Sequence, residues 1–169
     1  MVNLPHGTKE TVRKMLDRAF PGDTRLWDGM CLAATLVSGN EPVDPQFTLD
    51  ILRGVFACTR DAKARAASLV RKVEYSGIST REREAAIQLA AVALGIANHV
   101  FSTVTRAVQV EVGRAVYSAA QRGEDAPEWT AEAAKIFAEA IACGVITFAA
   151  APTAPSRIIR PGKPGKPGR

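Results

Sequence analysis

Aromatic side chains are scarce, with six Phe, two Tyr and two Trp in 169 residues. Base-stacking platforms need several ring faces close together. Trp27, Tyr75, Tyr117 and Trp129 are too scattered to make one, so any nucleic-acid contact would run on charge and shape. Histidine is scarcer still: His6 and His99 are the only two, which excludes a histidine-rich metal site. The three cysteines, Cys31, Cys58 and Cys143, lie far apart without a Cys-x-x-Cys pair. An odd, widely spaced set argues against a disulfide framework and favours a reducing compartment. Buried structural thiols are the expectation for all three.

Signatures of catalysis are also missing. The sequence has no Gly-rich phosphate loop, no Walker lysine motif, no Gly-x-Ser-x-Gly and no His-Glu-x-x-His. A Cys143–His99 dyad would supply a nucleophile and a base, but both residues fall in apolar helical stretches. Glu82 and Glu84 read as first-turn helix residues, not an acid–base pair. The expectation is a protein that is not an enzyme and holds no metal or cofactor. Residues Met1 to Lys9 contain no apolar run of signal-peptide type, so a cytoplasmic or virion location is expected. No stretch reads as a membrane span: residues 85–104 are long enough but include Gln88, Asn98, His99, Ser102 and Thr103, and residues 136–151 are short and include Glu139.

Alanine and other small apolar residues, by contrast, are abundant. The apolar fraction of 47% suits a packed domain, and small side chains let helices approach closely. The sequence therefore predicts an all-α, single-domain bundle of five to seven helices in residues 1–151. A flexible basic Pro-Gly-Lys tail follows in residues 152–169.

Helical periodicity places the elements. A first helix is expected from Thr8, as its N-cap, to about Phe20, with Val12, Met15, Leu16, Ala19 and Phe20 inward. Pro21-Gly22 ends it. A second starts at Asp23 or Thr24, burying Leu26, Trp27, Met30, Cys31, Ala34 and Val37, and stops at Ser38-Gly39-Asn40. Asp44-Pro45 opens a third, because a carboxylate caps orphan N–H groups and proline suits a first turn. Its stripe is Phe47, Ile51, Leu52, Val55 and Phe56. Residues 46–74 read either as one helix or as two, with Thr59 capping the second.

Ser79 and Glu82 have capping-box spacing. The run that follows, residues 85–97, has Gln88 as its one polar side chain. A helix apolar all round is one buried by neighbouring helices or by partner subunits. Residues 100–117 suit a helix, although Val108 to Val112 alternates like a strand and β-branched residues favour strands. A last helix is expected with Asp125 as cap, Pro127 in its first turn, and Trp129, Ala133, Ile136, Phe137, Ala140 and Ile141 inward. Gly144 ends it.

Charge is distributed unevenly. The formal net charge is +5. Residues 152–169 hold Arg157, Arg160, Lys163, Lys166 and Arg169 and no acid. The remaining 17 basic residues match all 17 acids in residues 1–151. The excess positive charge therefore sits wholly in the tail. Its basic residues recur every third position, between prolines 152, 155, 161, 164 and 167. Polyproline II has three residues per turn and rises about 3.1 Å per residue, which would line the charges along one edge roughly 9 Å apart. Such a stripe tracks a phosphate backbone without reading bases.

Arg53, Arg60 and Arg71 fall nearly in line on the third helix and offer a second phosphate track or simply a solvated face. Glu124, Asp125, Glu128, Glu132 and Glu139 form an acidic group that reads as helix-start chemistry in part, or as a seat for a basic tail. Together these features suggest a self-assembling structural protein that packages nucleic acid, of viral coat or nucleocapsid type. Its partners would be copies of itself and RNA or another single-stranded nucleic acid, held by phosphate contacts. The competing reading is a protein–protein adaptor or assembly cofactor whose proline-rich tail docks into a partner groove.

Overall fold

A computed structural model describes residues 6–75, 77 and 79–145 of the chain, and every regular element among them is an α-helix. The helices are α1 (His6–Ala19), α2 (Arg25–Ser38), α3 (Pro45–Tyr75), α4 (Thr80–Gln121) and α5 (Glu128–Ala142). The basic segment 152–169 lies outside the described residues, as do Ile146 to Phe148 beyond the expected last helix.

Two long helices form the axis. α3 and α4 make an antiparallel pair, with 31 and 42 residues. At 1.5 Å per residue α4 is about 63 Å long. Thr59 does not cap a second helix. It is buried inside a continuous α3, and its hydroxyl donates to the Val55 carbonyl at 2.8 Å and reaches the Ala97 carbonyl of α4 at 3.4 Å. A hydroxyl that bonds back to its own helix leaves the backbone ladder intact, so no break is needed. The strand-like alternation at 108–112 also resolves as helix, within α4. With no strand among the described residues to pair against, its backbone groups are satisfied in helical form.

The core lies where α2 crosses the α3–α4 pair. Leu26, Leu52, Val55, Phe101, Val104 and Val108 are almost wholly buried there, and burying a side chain of this size is worth about 1.5–3 kcal/mol. Phe56 and Phe101 meet with ring centroids 5.9 Å apart. Close approach of α2 rests on Gly29: a Cβ there would lie 2.5 Å from Val55 Cγ2 and 3.1 Å from Val104 Cγ2. This contact selects the inner face of α2. Of the expected stripe, Leu26 is buried and Trp27 and Met30 pack against the core, but Cys31, Ala34 and Val37 are exposed, and Gly29, Leu32, Ala33 and Leu36 are buried in their place. The helix is apolar on most sides, so periodicity alone allowed either face.

The helix ends also depart from expectation in places. α1 starts at His6, so Thr8 lies inside the helix and is not its cap. α2 ends as expected on Gly39, whose left-handed φ of 62° brings its N–H to the Thr35 carbonyl at 3.2 Å. Ser79 caps α4, accepting from the Glu82 N–H at 3.4 Å and donating to the Glu82 carboxylate at 3.0 Å. α5 is capped by Pro127, not Asp125, and the Thr130 hydroxyl donates to the Pro127 carbonyl at 2.6 Å. Pro127 fixes the extended entry, leaving Asp125 two residues too early to reach the first free N–H groups.

Candidate self-association and polyanion surfaces

Burial along α4 is lopsided. Between Ala97 and Val108 the helix buries Ala97, Val100, Phe101, Val104, Thr105, Ala107 and Val108. Between Thr80 and Ile96 no side chain is fully buried. Leu89 is 73% exposed and Val92 60% exposed. The expectation that residues 85–97 form a central, covered helix is therefore met fully at Ala97 and in part at Ala93, Leu94 and Ile96, which are half-buried against the core. The cause is the length of the partners: α2 and α5 pack on the middle of the pair, and the α3–α4 hairpin projects past them. An open groove of about 480 Å³ runs along the base of this arm, lined by Phe20, Ala66, Leu69, Ala86, Leu89 and Ala90 among others. By length and composition α4 is also apolar enough to cross a membrane.

The other end of α4 leaves a second apolar group outside. Val110, Val116 and Tyr117 are all exposed, as is Ile141 of α5. Val110, Val116 and Tyr117 escaped the sequence reading, because periodicity does not tell which face α2 leaves bare, whereas Ile141 was expected inward and is exposed.

The three arginines proposed as a phosphate track lie along α3, from Arg53 to Arg71 over about 27 Å. All are exposed, but their surroundings differ. Arg53 pairs with Asp50 at 3.3 Å and Glu132 at 3.5 Å, so its charge is partly answered within the fold. Arg60 lies over the Phe56 ring at 5.5 Å, an arrangement that leaves its charge outward. Arg71 has no ion pair among the described residues.

Lys63, one turn from Arg60, was not foreseen. Its Nζ donates to the Cys143 and Gly144 carbonyls at 3.2 and 3.1 Å, closing the carbonyl end of α5. The chain thus passes Val145 beside the basic face of α3. The tail residues Arg157, Arg160, Lys163, Lys166 and Arg169 lie outside the described residues.

The acidic group is divided as well. Glu124 binds Arg122 at 2.8 Å and Glu132 binds Lys135 at 3.0 Å. Asp125, Glu128 and Glu139 have no ion pair among the described residues.

The most ordered polar cluster is structural in geometry. Asp23 grips the Arg25 guanidinium at 2.7–3.1 Å, Asp61 of α3 stands 3.7 Å from it, and the Cys58 thiol donates to Asp23 at 3.7 Å. The hydrogen bond from Arg25 holds the Asp23 carboxyl below its ordinary range. Burial pushes the Cys58 thiol up to about 11, so it is neutral and unreactive near pH 7. Cys31 and Cys143, expected to be buried, are exposed, and so is His99. Among the described residues no group of three or more His, Cys, Asp or Glu side chains is placed to hold a metal ion. Comparison with protein-family models, with curated proteins and with solved structures found no match.

Proposed function

We propose that the chain is a structural, self-assembling protein that packages nucleic acid, of the viral coat or nucleocapsid kind. It holds the phosphate backbone without sequence specificity. The observation that carries this reading is the exposure of Leu89 and Val92 on the Thr80–Ile96 arm of α4, where no side chain is fully buried. An exposed apolar surface of this kind marks an interaction site, and repeated copies of the chain are the partner that a packaging role requires.

The charge distribution supports the second half of the reading. Residues 1–151 are formally neutral, and the five tail cations are the net excess. Copies can therefore pack without repulsion between their bodies while their tails neutralise phosphate. Arg60 and Arg71 add exposed positive charge on α3, the helix whose Lys63 holds the Cys143 and Gly144 carbonyls.

Sedimentation and nucleic-acid content test the proposal together. The full chain purified at low salt is expected as large particles with strong absorbance at 260 nm. A small oligomer free of nucleic acid would favour the adaptor reading instead. Ending the chain at Pro155 removes five cations. If each meets a phosphate of single-stranded RNA, the slope of log affinity against log salt flattens by about 3.5. An unchanged slope would remove the tail from the binding surface.

A further inference from the structure

α4 carries a heptad-spaced row along the flank of its buried face: the apolar Leu89, Ile96, Val110 and Tyr117, with Thr103 at the centre; Ile96 touches the core and Leu89 lines the groove beside Phe20 and Leu69. Leu89, Val110 and Tyr117 are exposed, and Ile96 and Thr103 are half-buried. The row is symmetric about Thr103. Leu89 and Tyr117 lie fourteen residues to either side of it, and Ile96 and Val110 seven. A second α4 laid antiparallel across this face would set Leu89 against Tyr117 and Ile96 against Val110 at both ends. The middle suits close approach, since Gly95, Ser102 and Thr103 are small.

Charge gives the pairing its direction. Residues 60–84, around the arm, carry seven basic and four acidic residues. Residues 111–128, from the far end of α4 to the start of α5, carry four acidic and two basic ones. The formal charges, +3 and −2, are opposite in sign. Arg81 and Arg83 on the arm, and Asp125 and Glu128 at the far end, have no ion pair among the described residues. A parallel pair would stack like charge on like at both ends, which is costly across an interface. An antiparallel pair joins each cationic arm to the partner's acidic end.

From this we infer that α4 is the seam of a two-fold homodimer, in which two copies cross antiparallel about Thr103. The dimer is the building block of the assembly proposed above and rests on that reading. A two-fold contact is self-complementary, as the most common oligomer interfaces are. It also covers Leu89 and Val92 of both chains at once.

Spin labels on the full chain test it, in a Cys31→Ser, Cys58→Ser and Cys143→Ser background. Thr103→Cys is expected to give a short label-to-label distance, under about 20 Å. Leu89→Cys is expected to give about 42 Å, since two positions fourteen residues from the axis are separated by twenty-eight residues of helix rise. Short distances at both positions would mean a parallel pair and overturn the inference while leaving self-assembly intact. A chain that stays monomeric at all concentrations would overturn both, as would capture of the monomer by lipid vesicles through the same face.

A charge test is independent of labelling. Arg81→Glu with Arg83→Glu, and Asp125→Lys with Glu128→Lys, should each weaken dimerisation about a hundredfold. Mixing the two variants should restore it, because each reversed end then meets its opposite. Two variants that fold, by far-UV circular dichroism, but fail to rescue each other would contradict the antiparallel seam.

Discussion

The two halves of α4 belong to one helix and have similar composition, yet they have opposite fates. From Ala97 to Val108 the apolar side chains are enclosed by α2 and α3. From Ala85 to Ile96 no apolar side chain is fully buried: Ala93, Leu94 and Ile96 pack against the edge of the core, and Leu89 and Val92 remain exposed. Hydrophobicity sets which residues need cover. The lengths and crossing points of the neighbouring helices set which of them get it. α2 has 14 residues and α5 has 15, about 21–23 Å of cover each, against a helix three times as long.

The comparison breaks most sharply by truncating one residue in each half. Phe101→Ala, at a side chain 1% exposed, should cost about 3–5 kcal/mol in denaturant unfolding. Leu89→Ala, at a side chain 73% exposed, should change the monomer's stability by no more than about 0.5 kcal/mol. Equal losses would mean that the arm is packed within the chain after all.

A somewhat smaller effect is expected from prising the cover off the enclosed half. Gly29→Leu would drive a side chain into Val55 and Val104, where even a single added carbon would come within 2.5 Å of its neighbour. Overpacking of this kind costs about 1–3 kcal/mol, read as a fall in the unfolding midpoint. An unchanged midpoint would mean that α2 does not press on the pair at Gly29.

The smallest effect comes from the polar staple at the start of α2. The Asp23 carboxyl is held below its ordinary value by the hydrogen bond from Arg25. Its contribution is therefore complete above the unfolded carboxylate value of about 3.9. It is lost as pH falls through the lower folded value. Because the pair is partly exposed, Asp23→Asn should remove no more than about 1 kcal/mol near pH 7. The variant should also lose less stability than the parent on acidification. Parallel pH profiles would show that Asp23 is not coupled to folding.

Much of this was legible in the residues. Helix class, the Ser79 cap, the Gly39 stop and the Pro45 start all follow from local chemistry, which acts over one turn. The inner face of α2 was not, because a helix apolar on most sides offers two stripes, and only the contact of Gly29 with Val55 and Val104 chooses between them. Asp125 had a capping side chain, but Pro127 fixed the entry to α5 further on. For the candidate site, Arg53, Arg60 and Arg71 do share one exposed line on α3, whereas the pairing of Arg53 with Glu132 and the capping of α5 by Lys63 depend on how α5 crosses α3. The Val110–Tyr117 patch was hidden for the same reason: exposure is a property of neighbours, and periodicity does not report them.

Hydrogen–deuterium exchange along α4, measured at low and high protein concentration, addresses the central contrast directly. Amides of residues 97–108 should be protected equally at both concentrations, and those of 85–96 should gain protection only as copies associate. Full protection of residues 85–96 in the dilute monomer would contradict the account, since the arm would then need no second chain.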